Sequence, residues 1–171
     1  MTYLDGAYRL HRSEDVARFT QLAQNAFPLI ADRIDCFGVD WLGRQFATDS
    51  GRVAGGFPQV LMLEPGTGEA LEIPFSMQDF HDCELVEEPE AAVAYSFYQG
   101  WLTSGGGHPE YGQCVGYKQP LFLGGEDEVT NLAIVDLDVY WTLTAQLLRQ
   151  VRASPAGTRV RSISISDWSL S

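Results

Sequence analysis

Residues 58–75 read PQVLMLEPGTGEALEIPF, and this stretch decides the fold class because it predicts two paired strands and the turn between them. Residues 60–63 form an apolar run suited to a buried strand, and residues 64–68 supply the proline and glycines of a turn. After the turn, Leu71 and Ile73 alternate with a glutamate, which is typical of a half-buried strand. A hairpin of this kind favours an antiparallel sheet.

Two longer helices are expected on either side of this hairpin. Ser13 suits the N-cap of a helix over about residues 13–27, and Pro28 bends or ends that helix. Asp136 suits the cap of the second helix, whose apolar positions recur at helical spacing to about Arg152.

Shorter elements fill the sequence between them. Ser76 and Asp79 have the spacing of a capping box that starts a short helix, and Pro89 suits the first turn of the next helix. Further strands are expected at residues 43–48, 121–123, 131–135 and 158–165. Because helices and strands mix without a regular alternation, we expect an α+β fold. It would be an antiparallel or mixed sheet packed with helices, in a single domain over residues 1–171.

Charge is concentrated in the middle of the chain. The 171 residues carry a net charge of −12, but residues 53–148 hold fifteen acids against a single base, Lys118. Such a surface repels nucleic acid and anionic lipid, and it attracts a basic partner. The alternative interpretation is that the acidity serves solubility alone.

The remaining composition points to a cytoplasmic protein. No apolar run approaches the ~20 residues that a membrane helix needs, and the N-terminal residues lack the pattern of a signal peptide. The three cysteines, Cys36, Cys83 and Cys114, are far apart and odd in number, so we expect reduced, partly buried and unreactive thiols.

No catalytic, metal or cofactor motif is present in the sequence. The three histidines form no HExxH pattern, and neither a GxSxG elbow nor a phosphate-binding loop occurs. We expect His11 and His108 to be exposed and His81 to lie at the edge of a short helix. One alternative is a small hydrolase, in which His108 would share a pocket with Glu110, Tyr111 and Cys114.

Two acid-rich segments are the candidate partner-binding residues. The first comprises Asp79, Asp82, Glu84, Glu87, Glu88 and Glu90, and the second comprises Glu126, Asp127 and Glu128. Helix capping is a sufficient structural explanation for part of the first group, whereas the second follows a Gly-Gly turn and has no such explanation. Aromatic residues could anchor an interface, but we expect Trp101 and Trp141 to lie in the core.

Residues 115–125, VGYKQPLFLGG, run into residues 126–147, EDEVTNLAIVDLDVYWTLTAQL. This stretch resembles the signature of the C-terminal domain of immunity proteins against type VI secretion DNase effectors. The matching positions are Gly116, Tyr117, Pro120, Leu121, Phe122, Leu123, Gly124, Gly125, Asn131, Leu132, Asp136, Tyr140, Trp141 and Gln146. Residues 63–87 are similar to the hairpin and short helix of the same family. The resemblance covers about residues 36–157, and a looser similarity links the chain to the SUKH superfamily of immunity proteins. Many relatives carry a further GAD-related N-terminal domain, for which 171 residues leave no room.

The physical interpretation of this motif concerns the fold. Pro120 and the Gly124-Gly125 pair bracket the predicted strand 121–123, and the glycines suit a turn with positive φ. Asn131 is placed to hydrogen-bond the turn backbone, and Asp136 caps the helix that carries Tyr140 and Trp141. We therefore expect toxin-specific residues elsewhere on the surface.

The resemblance and the charge imply the same function. We expect an immunity protein that binds one cognate secreted toxin, basic and nuclease-like, and has no catalysis, cofactor, nucleic-acid or membrane binding of its own. It would either cover the basic groove of the toxin or hold the toxin in an inactive shape. A regulatory module that uses the same fold to bind another intracellular protein is a further alternative.

Overall fold

A computed structural model describes residues 1–154, and within this range six strands form one antiparallel sheet in chain order. The strands are β1 (Thr2–Tyr3), β2 (Tyr8–Leu10), β3 (Ile34–Asp40), β4 (Gln45–Ala54), β5 (Phe57–Glu64) and β6 (Glu69–Ser76). Each strand pairs with the next one along the chain. The sheet is therefore an antiparallel meander, which confirms the predicted α+β class.

A second, two-stranded antiparallel sheet and several helices complete this part of the chain. The second sheet pairs β7 (Gln113–Tyr117) with β8 (Leu132–Asp136). The helices are α1 (Val16–Ala26), α2 (Met77–Asp79), α3 (Leu85–Glu87), α4 (Pro89–Val93), α5 (Tyr95–Thr103) and α6 (Leu137–Ala153). A π-helical turn over Phe80–Glu84 joins α2 to α3.

The predicted hairpin is present as strands β5 and β6. Its turn is closed by a 2.9 Å hydrogen bond from the Gly68 N–H to the Glu64 carbonyl. The strand expected at residues 43–48 belongs to the longer β4, which turns into β5 through Gly55 and Gly56. Both glycines have positive φ, 60° and 86°, as a two-residue hairpin turn of type I′ requires.

The large sheet separates two hydrophobic cores because successive side chains on a strand point to opposite faces. On β5, Val60 and Met62 belong to the core covered by helices α2 to α5 and by the small sheet. Leu61 and Leu63 belong to the core covered by α1 and α6.

Of the two longest helices, only α6 has the N-terminal cap that the sequence predicted. Helix α1 begins at Val16, and Ser13 does not cap it, because the Ser13 hydroxyl donates to the Glu14 carboxylate and Asp15 occupies the cap position. Helix α6 begins as predicted, with Asp136 Oδ1 accepting from the Val139 N–H at 3.0 Å. No helix within residues 1–154 has the length and apolar character needed to span a bilayer.

The expected strand at residues 121–123 is wrong. These residues form a single 3-10 turn, Leu121–Leu123, which ends at Gly124 with φ of 83°. The strand that pairs with β8 is instead β7, which starts eight residues earlier. The strand expected at residues 158–165 lies outside the described residues.

Candidate partner-binding surface

The first acidic segment starts at the end of β6, where Ser76 is the N-cap of α2. Ser76 Oγ accepts a hydrogen bond from the Asp79 N–H at 3.1 Å and donates to Asp79 Oδ2 at 2.8 Å. This reciprocal pair fixes the first turn of α2 and leaves Asp79 on the surface.

A buried aromatic side chain anchors the segment to the sheet. Phe80 is fully buried and packs edge-on against Tyr8 and Phe37 and tilted against Phe46. The neighbouring His81 bridges its own helix and the sheet, with Nδ1 2.7 Å from the Met77 carbonyl and Nε2 2.9 Å from the Tyr8 hydroxyl. Nδ1–H therefore donates to the carbonyl, and Nε2 accepts from the tyrosine.

The π-helical turn sets which residues of this segment face outward. The Leu85 N–H bonds back to the Phe80 carbonyl, five residues earlier, and both side chains are buried. In an α-helix, residues five apart point in different directions, so the wider turn is what brings both onto the core. The acids between and after these two anchors are consequently on the solvent side, except Glu84, which is half-buried.

Glu90 differs from the other acids of this group because its side chain stabilises the fold. Its Oε2 accepts from the Ser96 N–H at 2.8 Å, across the kink at Ala94, where φ is 51°. That hydrogen bond lowers the pKa of Glu90 and ties α4 to the start of α5. Of the six acids, Glu90 is thus the one with a backbone donor beyond its own helix.

The second acidic segment lies on a loop held by Asn131. Asn131 Nδ2 donates to the carbonyls of Gln119 and Glu126, both at 2.9 Å, and Oδ1 accepts from the Gln119 N–H at 3.0 Å. A Cβ on Gly125 would clash with the Gln119 carbonyl, so this tight loop needs glycine there. The loop presents Glu126, Asp127 and Glu128 as exposed side chains.

The exposed Asp127 lies at the edge of a partly buried charged cluster that was not expected from the sequence. The Tyr117 hydroxyl donates to Asp127 Oδ1 at 2.6 Å, and Glu64, the last residue of β5, lies nearby. Burial raises the pKa of Glu64 to about 7, against the attraction of the Arg44 guanidinium 3.8 Å away.

Asp40 and Arg44 form the buried base of this cluster. Asp40 accepts from the Arg44 backbone N–H at 2.9 Å and from Arg44 Nε at 2.6 Å, and Arg44 Nη2 has no partner within the described residues. Burial raises the pKa of the Asp40 carboxyl, and the guanidinium opposes that rise. The sequence signal was a four-residue separation between an acid and an arginine across a strand turn.

The ion pairs of residues 1–154 leave the proposed binding acids uncompensated. The arginines that pair do so with other carboxylates, namely Asp15, Asp40, Asp49, Glu64, Glu72 and Asp138. None of the nine acids of the two segments takes part in an ion pair within this part of the chain. Their negative charge is therefore available to an outside cation.

The two segments start at opposite ends of strand β6. Ser76, the cap of the first segment, is its last residue, whereas Asp127 lies by the turn that precedes its first residue, Glu69. Phe122 on the second loop donates its N–H to the Gly66 carbonyl in that turn at 3.2 Å. Eight strand residues span about 23 Å, so a partner that contacts both ends needs a broad surface.

The alternative hydrolase residues do not converge. His108 Nδ1 lies 2.7 Å from the Tyr98 hydroxyl, whereas the Tyr111 hydroxyl donates to Asp15 at 2.7 Å. Cys114 is fully buried, and Glu110 is exposed on the loop before it. These four groups point to four different environments and form no acid–base arrangement.

Histidine and cysteine environments differ partly from expectation. His11 is not exposed: it stacks on Phe19, Nε2–H donates to Gln45 Oε1 at 2.6 Å, and burial lowers its pKa to about 4. Cys36 is buried and its pKa is raised to about 12, whereas Cys83 is exposed, contrary to the expected partial burial. Within the described residues, no group of three or more potential ligands is placed to hold a metal ion.

The expected core aromatics are confirmed. Trp101 and Trp141 are buried, and Trp141 Nε1 donates to the Gly43 carbonyl at 2.8 Å. Gly116 lies against Tyr140 and Val135, where a Cβ would stand 2.9 Å from a ring carbon of Tyr140 and 2.9 Å from a methyl carbon of Val135. The motif residues thus make the contacts that join α6 to the two sheets.

Comparison with known proteins agrees with the resemblance. Residues 75–148 match the model of the family described as "T6SS immunity protein Tdi1, C-terminal", a segment that begins at the end of β6 and contains both acidic segments. Over this segment, which is less than half of the chain, the protein is similar to type VI secretion system immunity proteins. The crystal structure of Atu4351 from Agrobacterium tumefaciens shares the fold, with a TM-score of 0.60 and 17% identity over 85% of this chain and 69% of that one. No curated protein matches the chain.

Proposed function

We propose that this protein binds and neutralises one cognate secreted toxin, of a basic, nuclease-like kind, through the two acidic segments. The observation that carries the proposal is the set of nine carboxylates that have no ion-pair partner within residues 1–154, on a segment that matches the immunity family. Binding an external cation costs such carboxylates little free energy, because no internal ion pair has to break.

A nuclease offers the matching surface. It holds the phosphates of nucleic acid with lysine and arginine, and a negatively charged protein can occupy the same groove. Complementary charge also speeds encounter, which matters for a protein that has to reach an incoming toxin before the toxin reaches its substrate. The proposal places this encounter in the cytoplasm.

The carboxylates are held by rigid contacts. Phe80 and Leu85 fix the first segment on the core, and Asn131 fixes the second loop with three hydrogen bonds. A surface ordered before binding loses less conformational entropy on association. Inhibition in this proposal needs no chemistry from the immunity protein itself.

The test uses the toxin encoded beside this gene. The two proteins are co-expressed and purified, the dissociation constant is measured from 50 to 400 mM salt, and protection of cells from the toxin is scored. We expect a complex whose affinity falls steeply with salt. Absence of both a complex and protection would remove the proposal.

Matched variants identify the surface. Glu87→Gln with Glu88→Gln, and separately Glu126→Gln with Glu128→Gln, should weaken binding and reduce its salt dependence. Glu14→Gln with Glu110→Gln removes the same charge from exposed positions outside both segments and should leave affinity within about twofold, which is the range of a distant surface charge. Equal effects from all three pairs would mean that net charge matters and the two segments do not.

A further inference from the structure

Strand β6 forms one edge of the large sheet, and its first half is exposed on both faces. Residues 69–72, EALE, are all exposed, although successive side chains of a strand point to opposite faces. Neither face of the sheet is therefore covered at this point by the residues that the structure describes. The other edge of the sheet is β1, which is only two residues long. Edge strands leave backbone N–H and C=O groups unpaired, and β6 is the edge where this row is long.

The strand register identifies the backbone groups of β6 that face outward. Glu64 pairs with Glu69 beside the turn, and Pro65, the residue after Glu64, has no N–H. In an antiparallel ladder, two paired residues either exchange both hydrogen bonds or have the bonds between their neighbours on either side. The second arrangement would need an N–H on Pro65, so Glu64 and Glu69 exchange both bonds. Bonding alternates along the strand, and Ala70 and Glu72 consequently direct their N–H and C=O groups away from β5.

These outward groups have no partner in the described part of the chain. The register is regular over residues 69–73, and no hydrogen bond from residues 1–154 reaches the outer side of Ala70 or Glu72. Pro74 ends the usable row because it has no N–H to donate. The edge therefore offers the donors and acceptors of two residues to one short extended segment.

The charge of this edge restricts what can pair with it. Glu69 and Glu72 lie on the strand, and the Glu72 contact with Arg52 is 3.5 Å long with the glutamate mostly exposed. Asp127 lies by the turn before the strand, and Asp79 follows its end. A second copy would bring the glutamates of both chains onto one short ribbon, where like charges oppose pairing. A basic segment meets attraction instead.

We propose that the toxin contributes an extended, basic segment that pairs with β6 as an added strand. This inference rests on the proposed function and specifies the form of the partner. Backbone hydrogen bonds to Ala70 and Glu72 supply affinity, and the cationic side chains of the segment face the glutamates. A strand along β6 runs from one acidic segment to the other, so one stretch of toxin reaches both. This edge precedes residues 75–148, which match the immunity family, and is a recognition element additional to them.

Residue-resolved amide hydrogen exchange of the full-length protein tests the inference, with and without the toxin encoded beside the gene. In the free protein, we expect the amides of Ala70 and Glu72 to exchange rapidly, and those of Leu71 and Ile73, which bond to β5, to exchange slowly. Toxin binding should slow exchange at Ala70 and Glu72 by roughly tenfold or more. A complex that adds no protection at these two amides would overturn the inference.

A backbone variant gives an independent measurement. Ala70→Pro removes one outward N–H and breaks no bond to β5, and proline is tolerated on an edge strand where the N–H faces solvent. We expect the dissociation constant for the toxin to rise roughly tenfold through the lost hydrogen bond, with an unchanged salt dependence. Ala70→Ser keeps the N–H at the same position and is the matched control, which should bind like the wild type. Thermal unfolding checks that both variants are folded, and the exchange experiment needs neither of them.

The outcomes separate the two proposals. If the acidic variants weaken binding while Ala70→Pro binds like the wild type and exchange at Ala70 and Glu72 is unchanged, the edge inference is wrong and the proposed function stands. Slow exchange at both amides in the free protein would mean that the edge is already covered, and it overturns the inference. Protection that depends on protein concentration would identify a second copy as the cover, and protection that does not would identify the same chain. A wild type that binds no toxin removes both proposals.

Discussion

The Tyr117 hydroxyl donates a 2.6 Å hydrogen bond to Asp127 and so connects the second acidic loop to the core of the protein. The Tyr117 ring is buried and lies against Gly66, where a Cβ would stand 2.8 Å from the ring. The position of a surface carboxylate is therefore fixed by a side chain that belongs to the interior.

Tyr117→Phe should free Asp127 while leaving the ring in place. We expect the free energy of unfolding to fall by about 1 kcal/mol, the usual net value of one hydrogen bond, and the loop to exchange its amide hydrogens faster. Urea unfolding and hydrogen exchange measure the two effects. Tyr95→Phe is the matched control, because the Tyr95 hydroxyl makes a longer, 3.4 Å contact with Asp5 at the surface. An equal loss in both variants would contradict the role given to Asp127.

Glu64 should destabilise the protein as the pH rises. Its pKa is raised from 4.5 to about 7 by burial, so the folded state binds a proton more tightly than the unfolded state between these values. Stability from this group is complete below pH 4.5 and is lost as the pH approaches 7, by up to about 3 kcal/mol. Glu64→Gln should therefore gain stability relative to the wild type between pH 5 and pH 8. Urea unfolding at both pH values checks this, and a difference that does not change with pH would count against it.

His11 should give stability the opposite pH dependence to Glu64, because its contribution is lost as the pH falls. Its pKa is lowered from 6.5 to about 4 by burial, so the unfolded state binds the proton more tightly, and stability is lost as the pH falls from 6.5 to 4. His11→Gln removes this dependence and keeps a polar group for Gln45. The variant should thus lose less stability than the wild type between pH 6.5 and pH 4.5, measured by thermal unfolding at intervals of half a pH unit.

Removing only one charge of the buried ion pair between Asp40 and Arg44 should lower the free energy of unfolding strongly. Arg44→Met leaves the Asp40 carboxylate buried without its cation, and we expect a loss of about 3–5 kcal/mol. Asp40→Asn combined with Arg44→Met removes both charges and should recover a large part of that loss. Urea unfolding of both variants gives the interaction energy, and a double variant as unstable as Arg44→Met would show that shape, not charge, dominates this site.

Asn131 should be essential for the second loop. Asn131→Ala removes three hydrogen bonds to Gln119 and Glu126, and we expect about 2 kcal/mol of destabilisation, since each net contribution is modest. Asn131→Asp keeps the acceptor but not the donor, so it should fall between the wild type and the alanine variant. If the loop also binds toxin, Asn131→Ala should weaken the complex more than Glu126→Gln does alone.

Local chemistry accounts for the parts of the fold that the sequence predicted well. The β5–β6 hairpin depends on the residues of one short turn, and the start of α2 depends on Ser76 and Asp79 alone. The predicted strand at residues 121–123 is wrong because three apolar residues are too few to show a periodicity. The conformation of this loop depends instead on the hydrogen bonds that Asn131 makes to Gln119 and Glu126. The pairing of β7 with β8 spans a long loop, so no local pattern revealed it.

The sequence likewise predicted only part of the candidate site. Exposure of Asp79, Asp82 and Glu126 follows from residue type and charge, and it was predictable. The environment of Glu64 was not, because it depends on Asp40 and Arg44 at the β3–β4 connection and on Asp127 in the second acidic loop, two other parts of the chain.

The π-helical turn between Phe80 and Leu85 gives this surface room to diversify. Loss of one residue from the turn would return the two anchors to four-residue spacing, at which an ordinary α-helix also holds both on the core. The segment is therefore able to gain or lose a single outward position while its attachment stays the same. Under the proposed function, such a change would alter the carboxylates offered to a toxin and leave the buried contacts of Phe80 and Leu85 in place.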